Sequence, residues 1–163
     1  MIAVDFVTAQ SPYYDMKNED DEDEKLLYRE DYVQQCLDEA MYLWNKFHFS
    51  DDLTVIFEDK FDCMERNENK IVENTLSVCS YEVYQFTWKD NDPDFDDDEI
   101  YTTVRYIWKT NAIKVEELFR RIILSDLGEK TILDQAVYII DNKTEEVFWL
   151  FDDRGMNIYY GEK

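Results

Sequence analysis

Between Lys25 and Phe47 the apolar positions Leu26, Tyr32, Val33, Cys36, Ala40, Leu43, Trp44 and Phe47 recur at steps of three and four, which gathers them on one side of a helix. The spacing predicts an amphipathic helix over 25–47. A second run with that period, Val115, Leu118, Phe119, Ile122 and Ile123, predicts a helix over 114–127, with Gly128 placed to supply a left-handed C-terminal cap. Elsewhere the pattern is that of strands. Leu53 to Phe57 is a β-branched, apolar run suited to a buried strand. Tyr81 to Trp88 and Ile100 to Trp108 are rich in aromatic and β-branched residues, and the intervening Asp90 to Glu99 contains the turn composition Asn91-Asp92-Pro93. These predict a hairpin with an acidic tip.

Three more short strands are expected at Ala136 to Ile140, Val147 to Phe151 and Asn157 to Tyr160. They are separated by the turn signals Asp141-Asn142-Lys143-Thr144 and Asp152-Asp153-Arg154-Gly155. Met1 to Phe6 reads as a short leading strand, Asn18 to Glu24 as a solvated acidic loop, and Asp62 to Asn74 as a polar connector. No repeat of fixed period is visible. The expectation is one α+β domain over 1–163, with two main helices packed on one face of a mostly antiparallel β-sheet and acidic loops near 18–24 and 90–99.

Charge changes the picture more than any motif. The chain of 163 residues holds 39 acidic and 17 basic side chains, a net charge of -22, well beyond what solubility requires. Its hydrophobic share of 45% and aromatic share of 16% still provide a core without disulfides or metal. Binding to a nucleic-acid backbone or an anionic membrane draws on cationic side chains, so the balance argues against direct contact with either. No apolar stretch is long enough to span a membrane, and the N-terminus has no basic segment leading into an apolar one. Cys36, Cys63 and Cys79 form an odd set without metal-ligand spacing. They fit buried thiols in a reducing cytoplasm.

The segment from Val147 to Ile158, with Phe151-Asp152-Asp153-Arg154-Gly155 at its centre, resembles the closing hairpin of a bacterial family of domains of unknown function that ends in an aromatic followed by Asp-Asp-Arg-Gly. The stretch from Tyr32 through Ala40 to Phe49, with Asp51-Asp52-Leu53 entering a strand, is similar to that family's helix. Together they cover about a third of the chain and leave out both acidic runs. The resemblance implies a compact bacterial α+β fold and brings no activity with it. Physically, the motif suits a tight turn in which Gly155 takes positive φ, an Asp accepts backbone N–H groups and Arg154 pairs with a carboxylate. The functional alternative makes Arg154 an anchor for a phosphate or carboxylate.

Catalytic constellations are sparse. The one histidine, His48, sits between Phe47 and Phe49 at a helix end with no triad signature, and is read as a C-terminal helix partner. Three scattered glycines, Gly128, Gly155 and Gly161, make neither a P-loop nor a dinucleotide fingerprint. Tested as a calcium loop from Asp90, the acidic run puts Phe95 where glycine is needed and Tyr101 where a bidentate Glu is needed. A start at Asp92 puts Asp97 and Thr103 at those positions. No cofactor or metal is expected, and the chain is read as a binder and not an enzyme.

The leading expectation is a bacterial immunity or inhibitor protein that occludes a cationic toxin such as a nuclease. Dense negative charge speeds encounter with a basic protein, and aromatics among the acids supply anchors. The candidate contacts are Asp92, Asp94, Asp96, Asp97, Asp98 and Glu99 around Phe95, with a second patch at Glu19, Asp20, Asp21 and Glu22 after Tyr13 and Tyr14. For each run alone, a solvated surface that keeps the protein dissolved is the bland alternative. The alternatives in function are a nucleic-acid mimic that blocks a defence protein, a metal-assisted hydrolase, and a structural module whose acidity reflects habitat.

Overall fold

A computed structural model gives the fold, and it describes residues 1–6, 12, 28–47, 49–60, 68–77, 80–89, 100–127, 133, 136–152 and 154–160. In chain order the elements are β1 (Ile2–Asp5), α1 (Glu30–Phe47), β2 (Leu53–Asp59), α2 (Glu68–Glu73), β3 (Glu82–Lys89), β4 (Ile100–Thr110), α3 (Val115–Asp126), β5 (Ala136–Asp141), β6 (Val147–Leu150) and β7 (Gly155–Tyr159). The strands form one seven-stranded sheet in the order β1-β7-β6-β5-β2-β4-β3. Each neighbouring pair is antiparallel. The class is α+β.

Alternation along the central strands builds the core. Leu53, Val55 and Phe57 of β2, Val137 and Ile139 of β5, Phe148 and Leu150 of β6, and Met156 and Ile158 of β7 are all buried, and the residues between them are partly exposed, as strands with one well-covered face require. They join the buried stripes Val33, Cys36, Leu37 and Ala40 of α1 and Leu118, Phe119, Ile122 and Ile123 of α3 in a single hydrophobic cluster. Against it the partly buried Trp44 and Phe49 pack on the buried Phe119 and Phe148 to form an aromatic box. Phe119 and Phe148 stack at 5.1 Å, Trp44 and Phe49 stack at 4.1 Å, and Trp44 meets Phe119 and Phe148 edge-on at 5.9 and 5.4 Å. Such offset and edge contacts add to area burial. Arg120 of α3 reaches Glu30 of α1 at 2.6 Å and ties the two helices at their solvent side.

Several expectations are corrected here. The stretch 62–74 was expected to be a connector, but Glu68–Glu73 is a helix; with Ile71 and Val72 as its apolar residues, one and a half turns show no readable period. The first helix begins at Glu30 and not at Lys25: Tyr28 lies in a β-bridge and Arg29 outside the helix, where its guanidinium caps Asp31 at 2.7 Å. β2 and β4 run two residues further than expected, to Asp59 and Thr110, and β6 stops at Leu150, short of Phe151. The strand expected to start at Asn157 starts at Gly155, because Asp5 and Gly155 are partners in the β1·β7 ladder.

Gly155 also has a different reason from the one expected. It does not need positive φ; a Cβ there would run into the Val4 carbonyl oxygen and lie 3.1 Å from the Phe151 ring. Glycine is required by the close approach of β1, not by the turn. Among the described non-glycine residues, positive φ falls on Glu145 (φ 60°), which closes the β5–β6 turn that Asp141 organises. His48, Cys63, Cys79, Gly128, Asp153 and Gly161 lie outside the described residues.

Candidate functional site

Every acidic residue singled out as a partner contact falls outside the described residues: Asp92, Asp94, Asp96, Asp97, Asp98 and Glu99 with Phe95, and Glu19, Asp20, Asp21 and Glu22. What the structure places is the base of the longer run. β3 ends at Lys89, β4 begins at Ile100, and these two residues are partners in the ladder. The expected hairpin is therefore present, and the chain leaves and re-enters it at one point with seven acids in between, Asp90 through Glu99.

That hairpin carries a concentration of exposed apolar surface. Tyr81 (42% exposed), Val83 (51%), Tyr84 (53%), Phe86 (41%) and Ile100 (62%) all lie on it or at its margin. The reason is position: among the described residues β3 is the last strand of the sheet, and all of its residues but Trp88 are exposed, on both faces. Ladder partners fix which side chains share a face. Glu82 opposes Ile107, Tyr84 opposes Arg105, Phe86 opposes Thr103 and Trp88 opposes Tyr101.

Along that face Arg105 packs over the Phe86 ring at 5.0 Å, and its Nε donates to Glu58 of β2 at 2.5 Å. Trp88 lies 5.0 Å from Tyr101, carries the Lys60 ammonium over its ring at 5.1 Å, and donates from Nε1 to Thr103 at 2.8 Å. The Tyr84 hydroxyl donates to Glu82 at 2.9 Å. The carboxylate it serves holds the phenol above its usual range, since losing the proton would break that bond and set two negative charges side by side. Arg105 and Lys60 are matched by a carboxylate or a ring, and the Tyr84 and Phe86 rings stay exposed. On the opposite face Tyr81 touches Tyr106 and Trp108, each at 5.6 Å. A depression of about 260 Å³ beside it is lined by Ser80, Tyr81, Glu82, Ile107 and Lys109.

The Asp-Asp-Arg-Gly turn works as a structural lock. Asp152 is buried and accepts the Arg154 backbone N–H at 2.7 Å and its Nε at 2.8 Å, with Nη2 on the same carboxylate. The guanidinium pairs with that carboxylate through Nε and Nη2, the carboxylate pairing that the turn reading of the motif expects. Two other depressions lie on the helices. One of about 560 Å³ follows the acidic side of α1 along Asp31, Gln34, Asp38, Glu39 and Tyr42; the other, about 670 Å³, lies between α1 and the start of α3. Among the described residues no group of three or more His, Cys, Asp or Glu is placed to hold a metal ion, and no helix is long and apolar enough to cross a membrane.

Residues 10–163 match the model of the family described as Domain of unknown function (DUF3885). The chain belongs to this family. The DUF3885 match takes in every element except β1, so the edge hairpin and the closing β5–β7 meander are both inside it. No curated protein and no solved structure matches the chain.

Proposed function

We propose that this DUF3885 chain is an acidic protein-binding module, a bacterial immunity or inhibitor protein that neutralises a cationic toxin such as a nuclease in the cytoplasm. The observation that carries the reading is the edge hairpin: open aromatic and aliphatic side chains on strands whose joined ends bracket seven acids. A net charge of -22 steers a basic protein towards the chain over distances beyond contact. The apolar side chains then supply the desolvated centre that charge alone does not give. Asp92, Asp94, Asp96, Asp97, Asp98 and Glu99 with Phe95 form the principal contact, and Glu19, Asp20, Asp21 and Glu22 a second one.

The finer architecture belongs to the same reading. Both α1 and α3 cover one face of the sheet and leave β3 exposed, a layout supported by the aromatic box that joins both helices to β6. The buried free thiol of Cys36 supports a reducing compartment.

The test is affinity capture of the chain's partner from its native host, followed by binding of the purified partner to wild type and to the triple variant Asp96→Asn, Asp97→Asn, Asp98→Asn. The proposal expects a basic protein held at about 0.05 M salt and released at about 0.5 M, with association to the triple variant about tenfold slower. A partner that is not basic, or an unchanged association rate, would overturn it. A captured partner with no toxic activity, from whose own site the chain displaces duplex DNA, would point instead to a nucleic-acid mimic.

A further inference from the structure

We infer that the free edge of β3 pairs, strand to strand, with an extended Lys- or Arg-bearing segment of the cationic partner, which adds an eighth antiparallel or parallel strand to the sheet. This rests on the reading of the chain as a binder of a basic protein, and it deepens that reading by naming the contact. In an antiparallel ladder every second residue turns its N–H and C=O towards the neighbour and the residue between turns them away. β4 takes up one side of β3 through eight paired positions, from Glu82 to Lys89. Among the described residues no strand lies on the other side.

Edges of this kind are normally blunted by shortness, by proline, by a bulge or by lysines along the strand. β1, the opposite edge, is four residues long. β3 is eight residues long, Glu-Val-Tyr-Gln-Phe-Thr-Trp-Lys, without proline and with its lysine at the very end. It keeps Val83, Tyr84 and Phe86 between 41% and 53% exposed. Strand addition uses these features together: backbone groups give the affinity and alternating side chains give the selectivity.

The choice of occupant follows from charge. Two copies of a chain at -22 repel one another at every approach, which disfavours edge-to-edge pairing of the chain with itself. A basic strand is drawn in by the same field. On the hairpin face Glu82 is exposed, and the Arg105 charge is already paired with Glu58.

The experiment uses the full chain with two synthetic peptides, an acetylated (Lys-Val)4, which favours an extended strand, and octalysine, which carries more charge and little strand preference. Amide hydrogen exchange is followed over residues 82–89. The inference expects (Lys-Val)4 to slow exchange at the outward amides of β3 by at least about tenfold, octalysine to bind without that protection, and both effects to fade with salt.

Two proline variants, Tyr84→Pro and Gln85→Pro, sharpen the result. They are adjacent, so one removes an N–H bonded to β4 and the other an outward N–H that an edge strand can lose. The outward variant should keep its melting temperature and octalysine binding and lose at least about tenfold in (Lys-Val)4 affinity. If (Lys-Val)4 binds without protecting β3, or if both folded variants bind it as wild type does, strand addition is overturned and the basic-partner reading stands. If neither peptide binds at low salt, both fall. Protection of β3 that grows with the chain's own concentration, without peptide, would overturn the inference in favour of self-pairing.

Discussion

Removing the Asp141 carboxylate should loosen the junction between the α1–β2 loop and the β5–β6 turn, and the cost can be worked from its contacts. Asp141 is 1% exposed and accepts four hydrogen bonds: the Ser50 backbone N–H at 2.6 Å, the Ser50 hydroxyl at 2.9 Å, and the N–H groups of Lys143 and Thr144 at 2.8 and 3.2 Å. The backbone ladder across the turn, Asp141 N–H to Glu146 and Glu145 N–H to Asp141 at 2.9 and 2.8 Å, would survive the substitution. So would the neighbouring ties from Asn142 to Asp52 and from Lys143 to Asp51.

Hydrogen bonds to a charged acceptor contribute about 1.5–3 kcal/mol each when fully buried, but these donors are partly within reach of water. Asp141→Ala should therefore destabilise the fold by about 3 kcal/mol, and Asp141→Asn, which keeps one acceptor, by about 1.5 kcal/mol. Burial pushes the Asp141 carboxyl up, but the donors from Ser50, Lys143 and Thr144 outweigh it and hold the group below its ordinary 3.8. A carboxylate depressed in the folded state stabilises fully above its unfolded value, about 3.9, and that contribution disappears as pH falls through the folded value. Urea unfolding of wild type and Asp141→Asn from about pH 6 to about pH 2.5 should show a stability gap that is constant above about pH 4.5 and narrows below it. A difference below about 0.5 kcal/mol at pH 6, or a gap independent of pH, would refute this account of the turn.

Other perturbations follow from the same geometry. Phe119→Ala empties the centre of the aromatic box, where Phe119 is fully buried, and should cost about 4 kcal/mol in denaturant unfolding against about 1.5 kcal/mol for Phe119→Leu. Gly155→Ala drives a methyl group into the Val4 carbonyl; a loss of about 2 kcal/mol is expected, with faster exchange at β1 amides, and an unchanged β1 would contradict the close-approach explanation. Glu82→Gln takes away the anionic acceptor that holds Tyr84 above its usual titration range, so ultraviolet titration should show one tyrosine moving down towards about 10, and no such movement would place the Tyr84 hydroxyl elsewhere.

What the sequence revealed and what it hid divide along local and non-local lines. α1 and α3 were readable because Val33, Cys36, Ala40 and Leu43, and Leu118, Phe119, Ile122 and Ile123, repeat at helical spacing and fill the core. The β3–β4 hairpin and the β5–β7 meander were readable because each strand pairs with its neighbour in sequence, across turn-forming composition such as Asn91-Asp92-Pro93 and Asp141-Asn142-Lys143-Thr144. The position of β2 between β4 and β5, and the pairing of β1 with β7, depend on partners far along the chain, and no local pattern encodes them. Gly155 looked like a turn residue for the same reason: its constraint comes from Val4, about 150 positions away.

The candidate site shows the same division. Surplus carboxylates at 18–24 and 90–99 are obvious in the sequence. That Val83, Tyr84 and Phe86 stand open is not, because a strand of such composition usually reads as buried. Only the sheet order, which leaves β3 at the margin, turns those apolar residues into surface.

The association rate constant of the purified cationic partner, measured by stopped flow across ionic strength, tests the account most directly. A steep fall of at least about tenfold between about 0.05 and 0.5 M salt, with a clearly shallower slope when Asp96, Asp97 and Asp98 are all Asn, is the predicted result. A rate indifferent to salt, with the same slope in wild type and variant, would contradict the claim that this chain's negative charge is directed at a basic protein.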